Sequence, residues 1–276
     1  MIKQTPPRSL IVLAMLVVPL GVWATLVTLL VPGVYGESVH PTILREGIGQ
    51  DFVTLIFAIP LTFISIYLTL RGSLRGFLLL LGEMLYFAYS YLAATILYPP
   101  NPMFIVHVVI FSAATFALIR GLFFLDAERV TDSITSQFPR KSIAIYLMLS
   151  GFLVGLLWIG TYLVPMLVPK TDSQAILGNQ EPNLIIQVLD LGIVIPLSIL
   201  AGILLLRRHS WGVPLAGLVL VKVATLLLAV MMMIVMMVRE DEVVDPAKLV
   251  LFGLLAVFGL VMLGWYLFTI RTPDDE

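Results

Sequence analysis

The sequence predicts an all-α fold, a polytopic membrane helix bundle with eight transmembrane helices. Three observations carry this. Of 276 residues, 60% are hydrophobic and 12% charged, roughly half the charge fraction of a soluble domain. Mean hydropathy is +1.06. Apolar runs of about 20 residues, enough to cross the hydrocarbon core, recur along the chain.

The runs are 9–32, 52–70, 76–98, 102–124, 142–168, 184–206, 212–238 and 249–270. Turn residues and charges separate them: PGVYGES, RGSLRG, YPPNP, the polar stretch 126–141, PKTDSQ, RRHSWG and REDEVVDP. Lys3 and Arg8 precede the first run, as in a signal peptide. The run is longer than an h-region and no small-x-small site follows, so it reads as a span. No polar segment is long enough to bury a core of its own. The chain has no cysteine, which excludes disulfides, thiolate metal sites and cysteine catalysis. No basic stripe points to nucleic acid.

Lys and Arg in short loops set orientation. One side of the bundle holds Lys3, Arg8, Arg71, Arg75, Arg120, Arg129, Arg140, Lys141, Arg207, Arg208 and Arg271; the other holds only Arg45, Lys170, Arg239 and Lys248. The expected location is therefore the cell (inner) membrane, multi-pass, with both termini cytoplasmic. The outer loops are acidic, with Glu37, Glu46, Asp51, Asp172, Glu181, Glu240, Asp241, Glu242 and Asp245.

AIPLTFISIYLTLRGSLRGFLLLLGE, residues 58–83, aligns without a gap to VIPLSILAGILLLRRHSWGVPLAGLV, residues 194–219. Pro60, Arg71 and Gly76 match Pro196, Arg207 and Gly212. The matched spans run in the same direction. This predicts a 4+4 parallel tandem repeat: a first four-helix half over 1–125, a cytoplasmic linker over 126–141 and a second half over 142–276. Sites in transporters of this kind lie at the repeat interface. Each matched proline removes a backbone hydrogen bond and is expected to bend its helix.

The candidate site residues are the polar groups inside the spans. Glu83 and Tyr86 lie in the third, His107 in the fourth, Gln187 and Asp190 in the sixth, and Lys222 in the seventh. An ionisable group at membrane depth costs at least about 2.5–3.5 kcal/mol, so it faces the bundle and finds a partner. At 1.5 Å per residue Glu83 and Lys222 lie about 10 and 15 Å from the basic side, which makes them a candidate pair. His107 and Asp190 lie about 8–9 Å from the acidic side and form a second, with Gln187 one turn from Asp190. Asp190 is the rival partner for Lys222. Such groups serve either as fixed interhelical glue or as an ion or proton relay. Glu83, Tyr86, Ser90 and Tyr91 share one helical face.

No HExxH, GxSxG or phosphate loop is present. The run MMMIVMM at 231–237 has thioethers at i, i+4 spacing, but flexible apolar packing explains it. No cofactor is expected. GQDFVTLIFAIPL, RGSLRG, Tyr86, the YSY at 89–91 and YPPNP together resemble an uncharacterised family of bacterial and archaeal polytopic membrane proteins. The resemblance covers mainly residues 49–125 and implies no activity.

The expected function is transporter-like or small-ligand-binding, with a polar site between the halves and a small polar solute or a proton as partner beside the lipid bilayer. The alternative is an accessory or sensor subunit with a membrane protein partner. An intramembrane enzyme ranks third.

Overall fold

The computed structural model describes residues 5–36, 39–160, 184–239 and 246–271. The expectations for Lys3, Glu37, Lys170, Asp172, Glu181, Glu240, Asp241, Glu242 and Asp245 lie outside the described residues.

Among the described residues, eight helices are long and apolar enough to span a membrane. They are α1 (Arg8–Leu30), α2 (Pro41–Leu70), α3 (Leu74–Leu97), α4 (Phe104–Phe124), α6 (Arg140–Trp158), α7 (Ile185–Leu206), α8 (Gly212–Arg239) and α9 (Pro246–Phe268). A short helix, α5 (Ala127–Asp132), lies between α4 and α6. Large side chains point outward along the spans, among them Trp23, Phe63, Phe116, Phe152 and Phe258. In water such a surface would be an aggregation liability; here it is the lipid-facing wall.

The local chemistry explains the turns. At RGSLRG, Gly72 takes φ +80°, a region L side chains avoid. Ser73 then caps α3, its Oγ accepting from the Gly76 N–H at 3.2 Å. At RRHSWG, Arg208 takes the left-handed position at φ +55°, and His209 Nδ1 accepts from the Trp211 N–H at 3.2 Å. At YPPNP, Asn101 accepts from the Met103 N–H at 2.8 Å and donates to the Pro99 carbonyl at 2.8 Å.

The arginine-rich turns gather at one end of the bundle, here the basic end. Arg75 donates to the carbonyls of Ile270 and Phe268, and Arg140 to that of Leu205 at 3.1 Å. The polar stretch after α5 is clamped to the residues following α9. Thr135 N–H donates to Thr269 O at 2.9 Å, and Arg271 N–H to Ser133 O at 2.8 Å. Thr131 Oγ1 donates to Ser210 O at 2.7 Å. The segment expected as a linker is thus fastened to the turn before α8 and to the residues following α9.

One boundary departs from the sequence expectation. α2 begins at Pro41, well before residue 52. His40 caps it, its Nδ1 accepting from the Thr42 N–H at 3.3 Å, and Pro41 suits the first helical position. Arg45, Glu46, Gln50 and Asp51 interrupt the apolar run without interrupting the helix. Three of them, Glu46, Gln50 and Asp51, line an internal cavity instead of lipid.

At each matched proline the helix widens by a π turn. Thr54–Ala58 is a π turn just before Ile59 and Pro60. Asp190–Val194 is one just before Ile195 and Pro196, at the same offset that separates the two prolines. A π turn inserts an extra residue into the ladder where proline has taken away a donor.

The core is built on α3 and α8, which are buried on nearly every side. In lipid, apolar side chains gain little by leaving the hydrocarbon, so helices associate through close packing at small residues. Gly82 of α3 lies directly against Val221 of α8, and Gly49 of α2 against the backbone of Met233. A Cβ at Gly49 would sit 2.6 Å from Met233 Cα, closer than packed atoms approach. Gly49→Val should therefore destabilise the protein by about 1–3 kcal/mol in thermal unfolding in micelles. Gly264→Val is the control, since nothing lies within 4 Å of a Cβ there. Equal melting temperatures for the two variants would refute the tight α2–α8 crossing.

Candidate functional site

The polar side chains of the spans sort into a dry layer and the wall of a cavity. In the dry layer, Glu83 is fully buried between α3 and α8 and accepts from Thr225 Oγ1 at 2.9 Å. Tyr86 and Thr54 share a 2.7 Å hydrogen bond between α3 and α2. Lys222 is 1% exposed, and its Nζ has no hydrogen-bond partner.

What holds Lys222 is an aromatic face. Its Nζ lies 3.9 Å from the centroid of the Tyr89 ring. A cation over a ring face is attracted by the ring quadrupole, by about 2 kcal/mol or more once desolvated. The phenol of Tyr89 in turn donates to Asp190 Oδ1 at 2.8 Å. A phenol that donates to a carboxylate gains electron density, which favours the cation over its face. Asp190 Oδ2 accepts from the Trp158 indole N–H at 2.8 Å. Lys222, Tyr89, Asp190 and Trp158 thus form one chain across α8, α3, α7 and α6.

Both expected pairs need correction. Glu83 does not pair with Lys222: its one hydrogen bond runs to Thr225, and Asp190 is the carboxylate within electrostatic reach of the lysine. Similar depth is not enough: Glu83 turns to Thr225 and Lys222 to the Tyr89 ring. His107 does not pair with Asp190 either. Its Nε2 meets the Tyr35 hydroxyl at 3.5 Å, and its Nδ1 has no partner. Asp190 is already occupied by Tyr89 and Trp158.

The cavity has a volume of about 510 Å³. It lies beyond this chain toward the end opposite the arginines. Of the six predicted residues, His107, Gln187 and Asp190 line it, while Glu83, Tyr86 and Lys222 do not. Its apolar walls come from α6, α8 and α9, with Val154, Leu157, Val223, Leu226, Val230 and Phe252. Its polar wall comes from α2, α3, α4, α7 and the segment before α2. There Tyr35 stacks on Tyr98, ring centroids 4.0 Å apart and 8° from parallel. Tyr91 meets His107 edge to face at 5.5 Å. Thr28 Oγ1 and the Tyr35 hydroxyl lie 2.6 Å apart. Burial first, and then the nearby Asp51 carboxylate, push the Tyr35 phenol well above its usual range. It therefore stays protonated at any physiological pH.

Sequence reasoning missed Glu46, Asp51, Tyr35, Tyr98 and Trp158 as site residues. Glu46, Gln50 and Asp51 recur at helical spacing just before GQDFVTLIFAIPL continues the same helix, which is the signal that was available. Trp158 carries no such signal.

Comparison with protein-family models, with curated proteins and with solved structures found no match.

The chain through Tyr89 makes a specific energetic claim. A double-mutant cycle of Lys222→Met with Tyr89→Leu should show a coupling energy of at least about 0.5 kcal/mol. Lys222→Met with Glu83→Gln should be additive within about 0.5 kcal/mol. Tyr89→Phe keeps the ring but loses the bond to Asp190, at a cost of about 1.5–3 kcal/mol. Additivity in the first cycle together with coupling in the second would restore the Glu83–Lys222 pair.

Proposed function

We propose that this integral membrane protein is a transporter-like protein that binds a small ligand between two tandem four-helix halves. The observation that carries this reading is the cavity wall. Tyr91 Oη, His107 Nδ1 and Gln187 Oε1 are buried, have no hydrogen-bond partner, and belong to side chains lining a single cavity. A buried polar group without a partner costs about 1–3 kcal/mol. Three of them around one cavity support a place where a bound molecule supplies the missing partners.

The repeat is supported by more than its matched residues. The π turns fall in register, and so do the turns that follow the two hairpins' first helices: Ser73 N–H donates to Leu68 O at 2.9 Å, and its counterpart His209 N–H to Leu204 O at 3.0 Å. In the same register Thr54 corresponds to Asp190 and Tyr86 to Lys222. Where one hairpin has a neutral hydrogen bond, the other has a charged pair with Tyr89 set between. The first hairpin thus keeps a fixed contact at a position where the second carries charge. The Lys/Arg asymmetry supports a cytoplasmic basic end, with the cavity toward the outside.

The cysteine-free chain allows a direct test. Ala94 and Val154 both line the cavity. Ala94→Cys and Val154→Cys should react with a membrane-impermeant maleimide added to intact cells. Ile66→Cys, in the core, and Phe123→Cys, 81% exposed on the lipid-facing wall, should not. If the two cavity cysteines are as inert as these controls, the ligand-cavity reading fails. Labelling only in inverted vesicles would reverse the orientation and leave the cavity standing.

A further inference from the structure

We propose that the cavity takes an organic cation, a protonated amine with an apolar body, and that Asp51 receives its ammonium group. The inference rests on the ligand-cavity reading above and names the class of ligand.

Three carboxylates line the cavity: Glu46, Asp51 and Asp190. Two of them have a lysine close enough to act on them. Lys248 faces Glu46, and Lys222 faces Asp190 across the Tyr89 ring. Asp51 has none among the described residues; its near polar neighbour is Thr28. Lys248 is also the only lysine or arginine among the described residues lining the cavity. Among the described residues, the wall therefore holds one carboxylate with no countercharge, and no free cation to receive an anion.

What surrounds Asp51 fits an ammonium group. Tyr35, Tyr91 and Tyr98 line the same cavity, so the carboxylate shares its wall with phenols. Aromatic rings around a carboxylate attract an organic cation through their faces, while the carboxylate supplies the charge. Tyr91 Oη and His107 Nδ1 have no partner, and both residues are at least nine-tenths buried. Each can accept from an ammonium N–H. A bare divalent metal fits less well, because the described residues contain no cluster of three or more histidine or carboxylate groups able to hold one. The remaining wall, from Val154 and Leu157 to Phe252, suits hydrocarbon.

Three probes of one size and different charge test this: phenethylammonium, 2-phenylethanol and phenylacetate. Binding is measured by calorimetry on the full chain in micelles. The ammonium should bind about tenfold or more tighter than the alcohol, and phenylacetate weakest. Asp51→Asn should bring the ammonium down to the level of the alcohol while leaving the alcohol unchanged. Asp51→Glu should keep the preference. Should Asp51→Asn fail to fold, the wild-type ranking together with Asp51→Glu still decides.

Equal or tighter binding of the alcohol or of phenylacetate overturns the inference. So does an ammonium preference that survives in Asp51→Asn, or displacement of phenethylammonium by millimolar potassium chloride, which would mark a small inorganic cation site. Absence of binding by all three probes, with Ala94→Cys and Val154→Cys still labelled, overturns the ligand class while the cavity stands. Inert cysteines would remove the cavity itself.

Discussion

The placement of one ammonium group constrains the centre of this bundle. Lys222 lies inside the membrane-spanning core without a hydrogen-bond partner. Its insertion costs at least about 2.5–3.5 kcal/mol. A desolvated contact with a ring face returns about 2 kcal/mol, and a carboxylate behind that ring supplies the remainder. The ring must therefore stay flat against the ammonium. Tyr89 is held there by its bond to Asp190, and Asp190 by Trp158. Gly82 lets α3 come close enough to α8 for the contact to exist at all. Four helices are thus tied to the solvation of one charge.

That arrangement also decides where the open space falls. Toward the basic end hydrogen bonds cross between helices, from Thr225 to Glu83 Oε1 and between Thr54 and Tyr86, while Glu83 Oε2 has no partner. Such contacts leave no room for a solute. Beyond Tyr89 the packing opens into the cavity. α2 turns a carboxylate-bearing face inward while α6, α8 and α9 present hydrocarbon. A surface that is acidic and aromatic on one side and apolar on the other cannot close on itself without stranding Asp51 against leucine and valine. The cavity is the result.

How much of this was legible in the sequence depended on which coordinate each argument used. Hydropathy measures position along the membrane normal, and it located all eight spans. It truncated α2, because Arg45, Glu46, Gln50 and Asp51 look like a loop to any average that ignores which way a side chain points. The depth count for Glu83 and Lys222 had the same weakness: it ignored rotation about the helix axis, and the two side chains found other partners. Reasoning about opposite charges could not find Tyr89 as the partner of a lysine, since a ring face carries no formal charge. Pro60 and Pro196 correctly marked irregular helix, yet a π turn rather than a simple bend accommodates each, a choice that depends on neighbours the sequence does not order in space. Asp190 was identified from its depth alone. Its partner Trp158 sits in an unremarked apolar run, where nothing separates it from a lipid-facing residue.

The fastening at the basic end bears on how the molecule is assembled during synthesis. Arg75, the stretch after α5 and the turn before α8 emerge from the ribosome well before α9. Yet Arg75 and that stretch bond to the backbone of residues 268–271, and Thr131 of α5 to Ser210. Earlier helices can insert one by one, but the carbonyls that receive Arg75 do not exist until α9 has been made. An intermediate lacking α9 keeps a guanidinium and a run of backbone donors open at the membrane surface. Closure of the basic end therefore waits on α9, whose following residues complete the hydrogen bonds that earlier segments leave open.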